Sequence, residues 1–440
     1  MSPSARIYSR GFRLVTGPIA FLFLGVVASG ICALGVRSQT TDAPTSGPVI
    51  RAKVNEVLVP VVVRDAQGRP VDNLSKDNFQ VFDNGKLQTI TGFAVNKKAD
   101  EKAATNTSSA AADSNNPSVF SAPMSASQRY VVFLFDDLNL TFDDLPNAKQ
   151  AAIKALDASL APPDMAAVIS TTGVNSGLTR DHEKLRQAIQ DLRVKTLLRA
   201  NEHECPNVDY YQGDRIINKS DDLAFQAAVT EVLYCHKNIT MEAAEAFARS
   251  AATRAVLLGE LNYRANLNAL KLILKKLMGP LPGQHVIILV SSGFFTAGPE
   301  AVAIKSEVVD LAARTNTVID TLDARGLYTT NVAAEVTTRV DPASQRLINE
   351  YRTQSKDANS DVMGELADGT GGIFFHSNND IETGLKTLLS GADCTYLLAF
   401  SPSHTRPGTR HSLKVKVDKP GLTVHARSGY STPAPEKHKS

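Results

Sequence analysis

Strand-like and helix-like hydrophobic patterns alternate between residues 129 and 392, and this alternation constrains the fold more than any other feature. The apolar run HVIILV at 285–290 is typical of a strand buried on both faces of a sheet. Such alternation predicts a doubly wound α/β domain over 129–392, with a mostly parallel sheet covered by helices on both faces. The other predicted strands are 130–135, 165–171, 317–322 and 372–375, and the predicted helices are 145–160, 182–192, 302–315, 361–368 and 381–389.

Two insertions interrupt the alternation. The longer one, a helical excursion over 193–282, ends in leucines at helical spacing, namely Leu267, Leu270, Leu274 and Leu277. Pro280 and Pro282 are expected to stop that helix. A second, shorter excursion is predicted over 323–355.

Segments with strand character flank the α/β domain. Residues 50–96 contain β-branched runs broken by turn residues, and Asp83-Asn84-Gly85 predicts a tight hairpin. Residues 393–432 return to alternating strand patterns. Because neither segment is large enough to bury its own apolar face, we expect both to pair into one β-sandwich that carries the α/β domain as an insertion. Residues 97–128, rich in Ala, Ser, Asn and Lys, predict a flexible linker.

The N-terminus carries an export signal or an anchor. Arg6, Arg10 and Arg13 precede an apolar run over 14–35, and small residues close that run. Residues 1–38 therefore predict a cleaved signal peptide, or a membrane anchor, since the run is also long enough to cross a bilayer. Both alternatives place the rest of the chain outside the cytoplasm.

Composition argues against a nucleic-acid partner. The chain has 47 Lys+Arg against 45 Asp+Glu, a formal net charge of +2, whereas nucleic-acid binders usually show a basic excess. The sequence contains no Walker motif, nucleophile elbow or His-Glu-x-x-His pair. The Gly-rich stretch at 369–372 follows a helix and leads into a strand, so it predicts a helix C-cap and not a phosphate loop.

The cysteines suggest one accessory disulfide. In an exported protein Cys205 and Cys235, both in the helical excursion, are expected to pair. The alternative is a zinc site that joins them to His203 and His236 and would support a metal-dependent hydrolase. Cys394, at the start of a predicted strand, would then remain a buried thiol.

Three segments inside the α/β region resemble a von Willebrand factor A domain: FLFDDLNLT at 133–141, LTRDHEKLRQAIQDL at 178–192 and HVIILVSSG at 285–293. With LDARGL at 322–327 and both strand-rich flanks, the chain resembles, from about residue 54 to residue 430, the VWFA-related family typical of Acidobacteria. The resemblance implies a six-stranded, mostly parallel sheet with a ligand site on top.

In adhesive members of that family the ligand site holds a divalent ion through hard oxygen donors, a set suited to Mg²⁺. The resemblance implies that Asp137, Asn139 and Thr141 lie at the first-loop positions. A register starting at Asp136 would instead place leucines at the next two positions.

The third loop, Ser291-Ser292-Gly293, lacks the carboxylate that the family's pattern has there. The alternative to a Mg²⁺ site is a degenerate loop, in which Asp143 and Asp144 cap the following helix. No other cofactor is expected.

The sequence thus favours a noncatalytic, extracytoplasmic protein-binding or adhesion module. Its partner would be a protein or a surface polymer, bound near Asp137, Thr171 and Ser292, and residues 14–35 would supply any membrane anchoring. The alternative is a structural or assembly component of a cell-envelope complex, in which the sandwich docks the chain.

Overall fold

The computed structural model describes residues 56–97, 129–160, 162, 164–195, 204–281, 283–326, 342–391, 394–402 and 409–431. The predicted signal or anchor over 1–38 lies outside these residues, as does all but the first residue of the predicted linker. No helix in the described part of the chain is long and apolar enough to cross a membrane.

The α/β prediction is confirmed in its general form, because five parallel strands form one sheet in the order β6-β5-β7-β8-β9. The strands are β5 (Arg129–Phe135), β6 (Met165–Ser170), β7 (Gln284–Ser291), β8 (Thr317–Asp323) and β9 (Phe374–Phe375). Five parallel strands are described where the family resemblance implies six. Two isolated antiparallel bridges, Ala166–Thr179 and Ile169–Asn175, extend the edge next to β6.

Helices cover both faces of this sheet because its central strands are apolar on both sides. In β5, Val131, Phe133 and Phe135 face one helical layer, while the alternate residues face the other. The first layer comprises α1 (Asp144–Ser159), α2 (His182–Asp191) and α8 (Ile381–Gly391). The second comprises α5 (Met241–Leu272), α6 (Gly298–Arg314) and α7 (Pro342–Thr370).

Two helices of the second layer extend past the sheet. At 1.5 Å per residue the 32 residues of α5 span roughly 48 Å, whereas a seven-residue strand spans about 23 Å. The N-terminal halves of α5 and α7 pack against α3 (Tyr210–Asn218) and α4 (Asp222–Cys235) around a separate apolar cluster. These four helical parts form a cap over the carboxyl edge of the sheet, called the helical cap below.

The predicted helix over 361–368 and the predicted excursion over 323–355 were wrong in extent. Both overlap one 29-residue helix, α7, of which only the C-terminal part packs on the sheet. The polar stretch TQSKDANS at 353–360 interrupts the apolar pattern of α7, so the sequence does not indicate that the helix is continuous. That stretch lies at the level of a polar cleft, where a helix does not need an apolar face.

Strands from both ends of the described chain pair into two four-stranded sheets, in the orders β12-β1-β10-β4 and β13-β11-β2-β3. Apolar residues of both sheets form one shared core. The strands are β1 (Val57–Arg64), β2 (Phe79–Asp83), β3 (Lys86–Gln88), β4 (Ile90–Lys97), β10 (Cys394–Phe400), β11 (Arg410–Val417), β12 (Thr423–Ala426) and β13 (Gly429–Ser431).

Two local turn predictions are confirmed. The β2–β3 hairpin turns at Asn84 and Gly85, whose φ values of 48° and 78° are the positive angles that such a turn requires. Helix α7 ends at Gly371, with φ of 81°, and the amide of Gly372 donates to the carbonyl of Ala367 over 2.8 Å. This pattern is a Schellman C-cap, as expected for a glycine-rich helix end.

The predicted disulfide is confirmed between Cys205 and Cys235. It closes a loop of 30 residues around α3 and α4, a constraint worth about 3 kcal/mol. Because the two sulfurs bond to each other, they cannot act as thiolate ligands, so the zinc alternative is wrong for these two residues. His236 stacks on Phe247, and His203 lies outside the described residues. Cys394 remains a buried thiol, as expected.

Candidate functional site

The strand order places a crevice at the carboxyl edge of the sheet. β5 lies between β6 and β7, so the chain leaves β5 toward one side of the sheet and later returns to build the other side. Ligands of doubly wound sheets bind outside the carboxyl ends of the strands at such a switch point. Here the two loops at this point are 136–143, after β5, and 292–297, after β7.

A cleft of about 430 Å³ opens between these two loops and the helical cap. Its volume falls within the range of ordinary ligand sites. The lining combines amide, hydroxyl, aromatic and cationic side chains, among them Asn139, Ser292, Phe295, Tyr210, Asn262 and Lys356. The sheet edge therefore supplies one wall, and α3, α5 and α7 supply the others.

Asp136 ends β5 with a fully buried carboxylate. Its Oδ2 accepts hydrogen bonds from Ser291 Oγ at 2.6 Å and from Asn139 Nδ2 at 2.7 Å. Burial raises the pKa of Asp136 to about 6, and these neutral donors offset only part of the effect. The carboxylate thus joins the loop after β5 to the last residue of β7, and its described side-chain donors are neutral.

Asp137, the next residue, binds the loop after β6. Its carboxylate accepts from the Thr172 backbone amide at 3.1 Å and from the Thr172 hydroxyl at 2.5 Å. The side chain is 1% exposed. Thr171, the neighbouring residue of that loop, donates its hydroxyl to Asn266 Oδ1 at 2.8 Å.

The structure corrects the predicted capping of α1. Asp143 makes no side-chain cap, and the carboxylate of Asp144 instead accepts from Ser292 Oγ at 2.7 Å. The cap comes from Thr141, whose hydroxyl oxygen accepts from the Asp144 amide at 3.0 Å. Ser292 and Asp144 thereby tie the loop after β7 to the start of α1.

Asn139 connects the sheet edge to the helical cap. Its amide and that of Asn262 on α5 pair reciprocally, with Nδ2-to-Oδ1 distances of 2.9 and 3.1 Å. Asn266, one turn further along α5, donates to Asn262 Oδ1 at 3.1 Å. Since buried amides are costly to leave without partners, this pairing fixes α5 above the loops after β5 and β6.

These contacts bear on the predicted Mg²⁺ ligands Asp137, Asn139 and Thr141. Each of the three uses its oxygen for a different protein donor: Thr172, Asn262 or the Asp144 amide. Asp137 is the only carboxylate of the predicted set, and an ion of this kind prefers several charged or hard oxygen ligands.

In the part of the chain that the structure describes, no group of three or more His, Cys, Asp or Glu side chains is arranged to hold a metal ion. In this arrangement the oxygens of Asp137, Asn139 and Thr141 are bonded to protein donors, and the Mg²⁺ site stays a prediction.

The loop after β7 is held against α7 and α3. Gly293 has φ of 85°, and a Cβ there would lie 2.6 Å from the Asn359 carbonyl, which accepts from the Phe294 amide at 3.0 Å. Phe295 makes edge contacts with the rings of Tyr210 and Tyr211, at centroid distances of 5.2 and 5.4 Å. The aromatic wall is thus preorganised by packing.

Close approach of α3 to α5 positions Tyr210. A Cβ at Gly259 would lie 2.1 Å from the Tyr210 ring, so only glycine fits at this helix crossing. The Tyr210 ring also stacks near that of Tyr263 at 6.3 Å. Any larger residue at 259 would push α3 away from the cleft.

Among the described residues that line the cleft, the cations Arg325, Arg352 and Lys356 outnumber the carboxylate Asp209. Arg325 follows β8, and its guanidinium binds Asp323 at 2.6 Å. The other two cations are on α7. Burial raises the pKa of Asp209, which caps α3 by accepting from the Gln212 amide at 3.0 Å.

Sequence reasoning placed Asp137 and Ser292 at this edge, but it missed the contributions of the helical cap. Asn262 and Asn266 gave a signal that could have been used, since they are amides four residues apart on the same face as buried Tyr263 and Leu267. Arg325 directly follows a predicted strand end. The sequence around Arg352 and Lys356 does not predict that they line the cleft, because no local pattern indicates that α7 extends past the sheet.

Compared with models of protein families and with curated proteins, the chain gives no match.

Proposed function

We propose that this chain is a noncatalytic, extracytoplasmic binding module of the von Willebrand factor A type, whose ligand face is the cleft between the carboxyl edge of the sheet and the helical cap. The observation that carries the proposal is the position of the cleft. It opens at the switch point of a parallel sheet, beside Asn139 and Ser292. The motifs after β5, β6 and β7 that resemble the family surround the same edge.

The chemistry of the lining supports recognition. Its described residues offer aromatic rings, amides, hydroxyls and cations, and include neither histidine nor cysteine. Tyrosine, phenylalanine and arginine are enriched at the centres of protein interfaces. The rings of Tyr210 and Phe295 are fixed by their neighbours, so a ligand would bind with little loss of side-chain entropy.

The location outside the cytoplasm rests on two features. The Cys205–Cys235 disulfide is compatible with an oxidising compartment. Residues 1–38 have the basic start and the apolar run of a secretory signal or anchor. A periplasmic, secreted or envelope-attached protein would satisfy both.

One observation favours the second candidate, an assembly component that docks through its sandwich. Leu87, on β3, is 64% exposed, and β3 is the last strand in the order of its sheet. An exposed apolar side chain on an edge strand is a suitable contact for another chain.

A pair of alanine variants separates the two functions. The purified full chain, its Phe295→Ala variant and its Leu87→Ala variant are used to capture proteins from the extracytoplasmic fraction of producing cells, and bound proteins are quantified. We expect Phe295→Ala to lose a partner that Leu87→Ala retains. The opposite pattern would establish docking through the sandwich, and retention by both variants would contradict the proposed cleft.

A further inference from the structure

Two polar side chains of the cleft have no hydrogen-bond partner among the described residues, namely the hydroxyl of Tyr210 and the side-chain amide of Asn359. Three other amides of the lining differ in this respect. Asn139 and Asn262 bond to each other, and Gln212 donates to a backbone carbonyl of α4 at 3.0 Å. One hydroxyl and one amide of the lining are therefore available to a ligand.

Both residues lie close to Phe295. The Tyr210 ring contacts that of Phe295 at a centroid distance of 5.2 Å, and the carbonyl of Asn359 accepts from the Phe294 amide at 3.0 Å. Burial raises the pKa of Tyr210, so its hydroxyl stays protonated and can donate. Leu258, on α5, adds aliphatic surface to the same lining.

Three charged side chains of the lining already have partners within the chain. Arg325 binds Asp323 at 2.6 Å, and Arg352 binds Glu231 at 2.6 Å. Asp209 accepts from a backbone amide of α3 at 3.0 Å and from a hydroxyl of α7. These three groups do not need a charge on the ligand, so the arrangement favours an uncharged one.

A peptide group matches the available hydroxyl and amide. A side-chain amide accepts from a peptide N–H and donates to a peptide carbonyl, and a tyrosine hydroxyl donates to a carbonyl. Sugar hydroxyls also donate and accept, but Leu258 and Phe295 offer aliphatic and aromatic surface that suits an apolar side chain. Main-chain bonds that give affinity, with a side-chain contact that gives specificity, are typical of the recognition of extended peptides.

We propose that the cleft binds an extended, uncharged segment of a protein ligand through its main chain and one apolar side chain. Asn359 accepts from a main-chain N–H of that segment, Tyr210 donates to a main-chain carbonyl, and Phe295 and Leu258 contact the apolar side chain. This inference rests on the proposed function and gives the chemistry of its ligand.

The test uses saturation-transfer NMR, which detects weak binding of small ligands to a large chain. The probe is the pentapeptide GALAG, blocked at both ends and titrated into the full chain. Two control peptides carry serine in place of leucine, or methyl groups on the inner peptide nitrogens. We expect the serine peptide to bind about tenfold more weakly, from lost apolar contact, and the methylated peptide about fivefold more weakly, from one lost hydrogen bond.

Single substitutions assign the main-chain bonds. Tyr210→Phe and Asn359→Ala should each weaken binding of the leucine peptide about fivefold. Asn359→Ala should also bind the methylated and unmethylated peptides equally, because the bond that methylation removes is already absent. Asn147→Ala, which removes the same amide from an exposed position on α1 outside the lining, should leave binding unchanged. Neither cleft substitution removes a described hydrogen bond of the side chain, so both variants should keep the thermal midpoint of the parent chain.

The inference is overturned if the leucine peptide does not bind, if either control peptide binds equally well, or if Asn147→Ala weakens binding as much as Asn359→Ala. It is also overturned if the neutral oligosaccharide chitotetraose binds more tightly than the peptide, since the cleft would then recognise a polysaccharide. In the capture experiment, loss of a partner by Phe295→Ala but not by Tyr210→Phe or Asn359→Ala would leave the proposed function standing and remove this inference. Retention of the partner by all three variants would remove both.

Discussion

Buried carboxylates in the sandwich and at the carboxyl edge of the central sheet have different partners. In the sandwich, Asp83 accepts from His411 Nδ1 at 2.8 Å and from the Tyr430 hydroxyl at 2.9 Å, and the two rings stack at 4.8 Å. At the sheet edge, Asp136 has neutral donors only, and burial raises its pKa to about 6.

The two buried carboxylates therefore differ in how well their surroundings stabilise the charge. The Asp83 cluster joins β2, β11 and β13, lies away from the cleft lining and has its polar atoms paired, so it stabilises the sandwich. Asp136 is a buried carboxylate beside the cleft, where it joins the loop after β5 to the last residue of β7. Costly buried groups of this kind are typical of functional sites.

The largest loss of stability is expected when the contacts of Asp83 with His411 and Tyr430 are removed. Asp83→Leu would leave the His411 and Tyr430 donors buried without their acceptor, and we expect the free energy of unfolding to fall by about 4 kcal/mol. Urea unfolding followed by circular dichroism measures this loss. Tyr430→Phe, which removes one hydroxyl, should cost about 1 kcal/mol. Equal losses in the two variants would show that the cluster is not held by Asp83.

The second largest expected effect is a pH dependence of stability, and it comes from Asp136 at the sheet edge. The pKa of Asp136 in the folded chain, about 6, lies above its ordinary value of 3.8, so the folded state binds the proton more tightly than the unfolded state. The contribution of Asp136 to stability is therefore greatest below pH 4 and falls by about 3 kcal/mol as the pH rises through 6.

Asp136→Asn should remove that part of the pH dependence, because an amide oxygen still accepts from Ser291 and does not titrate. Unfolding free energies of both proteins between pH 4 and pH 8 give the difference curve. A flat difference curve would mean that Asp136 titrates normally, and the contrast with Asp83 would disappear.

The smallest expected effect is that of a divalent ion on the stability of the chain. We expect 1 mM Mg²⁺ or Mn²⁺ to give no saturable heat with the full chain, because the oxygens of Asp137, Asn139 and Thr141 are each bonded to protein donors. A site weaker than about 10 mM would stabilise the fold by less than about 0.1 kcal/mol. Saturable binding that Asp137→Ala removes would establish the metal site and metal-dependent adhesion.

The fold could be predicted largely from local patterns. The strand at 130–135 and the helix at 182–192 follow from the periodicity of apolar residues within a short stretch of sequence. The Asn84-Gly85 hairpin follows from the positive φ angles that these two residues accept. The site was predicted only in part. Asp137 and Ser292 lie at the edge where strand ends were expected to meet, but their partners are Thr172 and Asp144 instead of an ion.

The sequence by itself predicted the alternation of strands and helices, the pairing of the two flanking segments and, with a zinc site as the alternative, the disulfide. These predictions depend on hydrophobic period, turn chemistry and the need to bury apolar faces. Only the tertiary structure decided that α5 and α7 run past the sheet and bring Asn262, Arg325 and Lys356 to one cleft. Their convergence depends on helix packing between segments far apart in the chain, at crossings such as Gly259 against Tyr210, and no local pattern records such contacts.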